Sequence, residues 1–290
     1  MLPVDDPAVR FEADRERLRA IAFRILGSLD DADDALQLAW VRVARTDRRR
    51  IENPSGWLTT VVSRVCLDLL RARRTRMATE ALVDDRVAAR EATPEDDALM
   101  AESVGRALLV VLDRLSPAER VAFVLHDLFA VPFDEIAEIV DRSQAAAKKL
   151  ASRARRRVRG DAAPVGADVD RHRAIVEAFL AASAHGDLAT LVELLAPDVV
   201  RRADRVAVPD EVASDVRGAR AVAEETRVFA HLAGHGEVAS VDGAPGIVVA
   251  PGGHLAVILR VRVERGRITR IDVVADPDEL RRATITVPVG

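Results

Sequence analysis

Apolar residues recur at helical spacing near the start of the chain, where Leu18, Ile21, Ala22, Ile25 and Leu26 define one face of a helix that Gly27 ends. Asp30 is placed to cap a second helix. The acids around it suit a positive helix end, and Ala35, Leu36, Ala39, Trp40 and Val43 continue one apolar face. After a polar break at 48–53, Pro54 sits where a first helical turn accepts proline. Trp57, Leu58, Val61, Val62, Val65, Leu69 and Leu70 then predict a long helix that ends in Arg71, Arg73, Arg74 and Arg76. The pattern predicts a three-helix domain over residues 8–76.

Residues 77–98 hold no sustained apolar face and contain Pro94, which predicts a linker. A second helical domain is expected from Leu99 to Gly160. Within it, Ser116-Pro117-Ala118-Glu119 is a capping box that opens a helix over Ala118–Phe129. Beyond Pro132 a short helix carries Ile136, Ala137, Ile139 and Val140, and Asp141-Arg142-Ser143 turns into a basic helix reaching about Arg157. Helix, short turn and basic helix form a helix-turn-helix. Residues 161–169, with Pro164 and Gly166, predict a second linker.

From residue 170 to 290 the periodicity changes. Arg171 to Leu195 reads as two helices broken at Gly186, and Gly218 to Leu232 as another. Alternating, β-branched runs follow at Gly246–Ala250, Leu255–Val263 and Ile268–Val274, the last two joined by the hairpin turn Glu264-Arg265-Gly266-Arg267. The expected fold class is multidomain: two all-α domains followed by an α+β domain whose curved sheet is covered by helices.

Composition narrows the chemistry. The chain has 290 residues, 49% hydrophobic and 31% charged, as in folded globular proteins. Aromatics are only 3% and Tyr is absent, so the cores are built from Leu, Val, Ile and Ala, and Trp40 and Trp57 gain interest. The lone Cys66 can form no internal disulfide, which fits a reducing cytoplasm, and there is no thiol cluster for zinc. No targeting signal or membrane-spanning run is read. A net charge of −4 argues on its face against nucleic acid. The signs are partitioned, however: Lys148, Lys149, Arg153, Arg155, Arg156, Arg157 and Arg159 lie in one acid-free segment, and Asp30, Asp31, Asp33 and Asp34 cluster elsewhere, which predicts two different partners.

The basic helix is the sharpest candidate site. Ser143 is expected to cap it; Gln144, Ala146 and Lys148 near its start to face base edges; and Lys149, Arg153, Arg156 and Arg157 to meet phosphates, with salt-sensitive binding. The plain alternative is a solvated basic face, and helix-turn-helix geometry alone specifies DNA binding and nothing more. In the last third, His185, Asp198, His231, His235, His254 and Asp272 could act as acids or bases, but no spacing brings two of them together. His231 and His235 have metal-compatible spacing without a third ligand. No enzyme activity, cofactor or metal is expected.

The order of motifs resembles the extracytoplasmic-function (ECF) sigma factors of bacterial RNA polymerase. Asp31-Ala32-Asp33-Asp34-Ala35-Leu36-Gln37-Leu38-Ala39-Trp40 is similar to that family's region 2.2, which docks on the clamp helices of the polymerase β′ subunit. Asn53-Pro54-Ser55-Gly56-Trp57-Leu58 and the helix to Arg74 resemble regions 2.3 and 2.4, which melt and read the −10 element. Leu115 to Arg120, Ile136 to Ile139 and Ala151 to Arg155 resemble region 4, the −35 reader. The resemblance implies core-polymerase contacts at Asp34, Gln37, Leu38 and Arg42, −10 DNA contacts at Trp57, Arg64, Arg71, Arg73 and Arg74, and partners in core polymerase (β′ clamp helices and β flap) and promoter DNA. Leu38 departs from the family's usual Glu. Trp40 is assigned to the core, and Asp30, Asp31 and Asp33 are read either as helix-terminus charges or as part of the docking surface.

The last third resembles the SnoaL-like, NTF2-like extension of one subgroup, and Val273-Val274-Ala275-Asp276-Pro277-Asp278-Glu279-Leu280 is similar to that subgroup's Asn-Pro-Asp-Lys-Leu signature, with departures at Asp276 and Glu279. The linker also lacks the subgroup's Trp-Leu-Pro-Glu-Pro stretch. The second linker is short enough to keep the extension near the basic helix, so an intramolecular regulatory contact is expected. Two rival readings stand beside this one: a helix-turn-helix regulator independent of polymerase, and a SnoaL-fold enzyme with a DNA-binding N-terminus.

Overall fold

The computed structural model describes residues 7–45, 51, 53–80, 105–160, 166–208 and 213–287. They fall into two compact units, the first made of residues up to 80 with Leu112–Arg157, the second of residues 105–111 and those from Val158 onward. The expected helix start at Leu99 and most of the expected 77–98 linker lie outside the described residues. Among the described residues, no helix is long and apolar enough to cross a membrane.

The first unit is all α. Its elements are α1 (Pro7–Ala13), α2 (Arg15–Leu26), α3 (Leu29–Ala44) and α4 (Pro54–Glu80), then α6 (Pro117–Phe123), α7 (Phe133–Val140) and α8 (Gln144–Arg159). Helix α5 (Arg106–Asp113) carries the chain from the second unit into the first. Gly27 ends α2 at φ 84°, a left-handed conformation that glycine adopts without a Cβ penalty, and its N–H bonds the Phe23 carbonyl. The α3 cap is Ser28 rather than the expected Asp30; its hydroxyl accepts from the Asp31 N–H at 3.3 Å. Asn53 similarly accepts from the Gly56 N–H at 3.0 Å at the head of α4, which continues four residues past the expected end at Arg76.

Leu18, Ile21 and Ile25 of α2, Leu36 and Val43 of α3, and Leu58, Val62 and Cys66 of α4 are fully buried. The Ser116–Glu119 capping box forms as the sequence predicts. The helix it opens does not run on regularly to Phe129, because Val124–Leu128 widen into a π turn in which Leu125 is buried and its carbonyl accepts from the Val131 N–H at 2.9 Å. Asp141 makes the helix-turn-helix turn at φ 55°, and Ser143 then caps α8 by accepting from the Ala146 N–H at 3.2 Å.

The second unit is α+β. It contains α9 (Ala167–His185), α10 (Leu188–Leu194), β1 (Leu195–Ala203), β2 (Asp215–Arg217), α11 (Ala219–Val228), α12 (Ala230–Ala233), β3 (Gly236–Val241), β4 (Ala244–Val249), β5 (Val257–Glu264), β6 (Arg267–Val274), α13 (Pro277–Arg282) and β7 (Ile285–Thr286). One seven-stranded sheet has the order β2-β1-β6-β5-β4-β3-β7. Among the described residues only the β1–β6 pair is parallel, with Arg201 opposite Ile271. The β5–β6 hairpin turns at Arg265 and Gly266, both at positive φ, as the right-handed twist of a two-residue hairpin demands. Val176, Phe179, Leu191, Val199, Ile247 and Ile268 belong to the core between helices and sheet.

The helix expected to end at Leu195 gives way to strand at that residue, and β2, β3 and β7 are additional to the expected strands. Asp204 staples this unit: its carboxylate accepts from the N–H groups of Val206, Ala207, Ala275 and Asp276 at 2.7–3.0 Å. Burial raises its pKa, but those four donors outweigh it and hold the carboxyl below the ordinary range. Asp276, where the subgroup signature has Asn, caps α13 by accepting from Asp278 and Glu279 N–H groups. Both residue types perform that task.

Candidate nucleic-acid interface

Helix α8 separates its two faces cleanly. Ala147, Ala151, Ala154 and Val158 are buried at spacings of four, three and four, and Gln144, Lys148, Lys149, Arg153 and Arg156 are exposed. The small alanine face lets α8 sit close to the helices beneath it, and α8 itself carries no acidic residue, which favours a positive field on its outer face. Lys148 also places its ammonium 5.9 Å from the Phe133 ring centroid, which ties the start of the basic helix to α7.

Two arginines of this segment are engaged elsewhere. Arg155 makes a two-pronged pair with Asp127, at 2.7 and 3.1 Å, across to the π turn. Arg157, read from the sequence as a phosphate contact, donates to the Glu119 carboxylate at 2.6 Å and so extends the capping box instead of pointing freely outward. Burial raises the Glu119 carboxyl, and the Ser116 bonds and Arg157 overcome it to hold the group below its usual range. Ala146 is half-buried beside its cap.

On α4, residues 57, 64 and 71 lie two turns apart and therefore on nearly one line. Trp57 is half-buried at the head of the helix, with Arg64 and Arg71 exposed below it. Arg64 is engaged within the unit, donating to the Glu138 carbonyl of α7 at 2.9 Å. Arg74 is exposed, while Arg73 turns to Asp31 of α3 at 2.6 Å. Asp33 likewise pairs with Arg19, at 2.7 and 2.8 Å. Asp31 and Asp33 thus bolt α3 to its neighbours and are more than helix-terminus charges.

The outer face of α3 gathers Asp34, Gln37, Leu38, Val41 and Arg42, all exposed; Arg42 also pairs with Asp68 at 3.4 Å. Leu38, Trp40 and Val41 are 48%, 41% and 44% exposed, a concentration of large apolar side chains at the surface. Trp40 is not a core residue, as the sequence had led us to expect; it lies at the surface with its ring 5.3 Å from that of Phe11.

Sequence reasoning passed over Arg120. It is 3% exposed inside the first unit, donates to Asp113 at 3.0 Å, and lies against Gly27, where a Cβ would come within 3.0 Å of its guanidinium. Burial pushes its pKa down, opposed by Asp113. An arginine at the head of the otherwise apolar Val121-Ala122-Phe123-Val124-Leu125 stretch was the available signal. Among the candidate acids and bases, Asp272 is paired with Arg270 at 2.8 Å, and no group of three metal-ligating side chains gathers among the described residues.

Residues 10–76 match the family described as Sigma-70 region 2, and residues 105–158 match Sigma-70, region 4. The chain is 40% identical to the ECF RNA polymerase sigma factor SigJ of Mycobacterium tuberculosis, over 93% of this chain and 91% of that one. It is 32% identical to the probable ECF RNA polymerase sigma factor SigI of the same species, over 95% of both. The crystal structure of M. tuberculosis SigJ aligns with 36% identity over 94% of this chain and 98% of that chain, at a TM-score of 0.46.

Proposed function

This chain belongs to the extracytoplasmic-function family of RNA polymerase sigma factors, and from that premise we propose which of its surfaces carry out transcription initiation. The protein acts with RNA polymerase and promoter DNA. The observation that carries the detailed reading is the two-faced α8, buried through small residues and outwardly basic. Gln144, Ala146 and Lys148 at its capped start are assigned to base edges of the −35 element, and Lys149, Arg153 and Arg156 to phosphates; Arg157 serves the capping box first. The Trp57–Arg64–Arg71 line with Arg74 is assigned to the −10 element, because melted bases need a stacking surface and their backbone needs cations. Arg73 supports that helix through Asp31.

Core polymerase is assigned to the outer face of α3, with Asp34, Gln37, Leu38 and Arg42 against the β′ clamp helices and region 4 toward the β flap. Leu38 in place of the family's Glu makes that contact apolar, next to Val41 and Trp40. Polymerase partnership also places the chain in the cytoplasm.

The packing of α7 and α6 on α4 and α2 is the resting arrangement of the first unit. The −35 and −10 elements lie more than one turn of DNA apart, about 34 Å, so both readers cannot engage while Arg64 is bonded to Glu138. Arg120 makes that packing breakable. Its buried cation pairs with Asp113 and its Nε makes no hydrogen bond among the described residues, so much of the gain from packing is offset by desolvation.

We further assign the α+β domain a regulatory role. Two parts of the helical half are tied into its unit: the Ala107 N–H at the head of α5 donates to Glu237 of β3 at 2.8 Å, and the Val158 carbonyl near the end of α8 accepts from the Val287 N–H at 2.9 Å. Transcription in vitro with core polymerase on sheared genomic DNA, mapping RNA 5′ ends with and without this protein, tests the reading. New starts sharing paired upstream elements support it, and a chain that neither initiates nor binds core polymerase overturns it.

A further inference from the structure

The second unit contains a cavity of about 120 Å³ that opens to solvent, comparable to apolar cavities of about 150 Å³ that hold one aromatic ring. Its wall is mostly hydrocarbon, with Phe179, Leu232, Ile247, Leu259 and Ile271 prominent, from α9, α12 and the sheet. Four polar side chains interrupt it: Ser183, Arg201, Glu225 and Thr226.

Arg201 and Glu225 form a two-pronged ion pair in this apolar wall, with side-chain exposures of 6% and 17%. Of the three donors that remain, Arg201 spends two on backbone carbonyls, Nη1 on Ser214 at 3.1 Å and Nη2 on Ala213 at 3.0 Å. It therefore offers little to an incoming anion, and Glu225 beside it repels one. The pair sums to zero charge. Glu225 keeps acceptor lone pairs that Arg201 does not use, because each carboxylate oxygen can accept more than one bond. Ser183 and Thr226 donate to the Phe179 and Val222 carbonyls, so their oxygens also stand as acceptors. An apolar wall of this kind would pack at least as well with a hydrocarbon pair in place of the ions. The pair makes sense as an orienting group for something that occupies the space.

We propose that this cavity binds a neutral, largely hydrocarbon molecule bearing a hydroxyl group, the hydroxyl donating to Glu225 and the hydrocarbon body lying against Phe179, Ile247 and Leu259. The chemistry disfavours carboxylates, phosphates and a bare hydrocarbon. This assignment does not depend on the promoter reading and is tested by binding alone.

The experiment is calorimetric titration of the full chain with three probes of one shape: 2-naphthol, naphthalene and 2-naphthoate. The expected result is one 2-naphthol per chain, bound at least tenfold more tightly than 2-naphthoate and severalfold more tightly than naphthalene. Val257→Trp, which fills the space from β5, should weaken 2-naphthol binding at least tenfold with an unchanged circular dichroism spectrum. If that variant misfolds, Ala233→Phe on α12 fills it from the opposite wall. Replacing the pair together, Arg201→Met with Glu225→Met, should remove the preference for naphthol over naphthalene. Equal affinity for all three probes, tighter binding of the naphthoate, no binding of any, or naphthol binding that survives a folded filling variant would each overturn the proposal.

Discussion

Arg64 on α4 donates a hydrogen bond to the carbonyl oxygen of Glu138 on α7, joining residues 74 positions apart at 2.9 Å. The donor belongs to the line of side chains assigned to the −10 element, and the acceptor to the first helix of the helix-turn-helix. One contact therefore reports whether the first unit is closed.

Locking that contact should silence the protein. Cysteines introduced by Arg64→Cys and Glu138→Cys and joined by a short bis-maleimide should cut promoter-dependent run-off transcription at least tenfold, with each single variant unaffected by the reagent. The native Cys66 does not interfere, since it is fully buried and burial pushes its thiol up, away from the reactive thiolate. Full activity of the linked protein would refute the opening step.

Lys149→Ala and Arg153→Ala remove exposed charges from α8 without touching its alanine face. Each should lower the slope of log binding constant against log salt by about one, with sequence preference retained. Gln144→Ala should behave oppositely, relaxing preference at one base position and leaving the salt slope alone. Fluorescence anisotropy on promoter and scrambled duplexes at several salt concentrations separates the two.

The carboxylate of Glu119 serves Ser116 and Arg157 at once. Glu119→Ala should cost about 1–2 kcal/mol of first-unit stability, the size of a lost cap. Its folded-state pKa lies below the unfolded one, so its contribution is fully present above the ordinary carboxylate range and is lost as pH falls through the folded value. Urea midpoints measured from neutral pH downward should therefore fall less steeply in Glu119→Gln than in the native chain.

Asp204→Ala leaves four backbone N–H groups without their acceptor, at a cost of about 2 kcal/mol or more in the second unit. The same sign of acid sensitivity applies, because this carboxyl too is held below its ordinary range. Chemical denaturation of the full chain, followed by amide exchange in β1 and α13, localises the loss.

Glu237→Ala removes the acceptor at the head of α5. Exchange of the Ala107 amide should accelerate by about tenfold or less, in keeping with the ~1 kcal/mol of a single cap. Altered promoter output in the same variant, with DNA binding by α8 unchanged, would link the α+β domain to initiation.

Local chemistry was legible in the linear chain wherever an element carries its own instructions. The α2 helix with its glycine end, the Ser116–Glu119 capping box, the Asp141-Arg142-Ser143 turn and the β5–β6 hairpin each depend on neighbours a few positions away, and each forms where the residues predict it. Strands β1 and β3 were not legible. β1 contains Pro197 and a register shift against β6 between Leu195 and Val200, which breaks simple alternation, and β3 carries glycine and small residues whose place depends on β4 and β7.

By itself, then, the sequence determined the class and order of the parts: helices, a basic helix-turn-helix and an α+β domain, with the motifs of one sigma family running through the first half. Only the tertiary structure decided how individual charges are used. Arg157 against Glu119, Arg73 against Asp31, Arg64 on the Glu138 carbonyl and Arg201 against Glu225 join residues 24 to 74 positions apart. A charged side chain looks alike in sequence whether it awaits a phosphate or already holds a carboxylate, because electrostatic partnership depends on distance in space and on the removal of water, and neither is local along the chain.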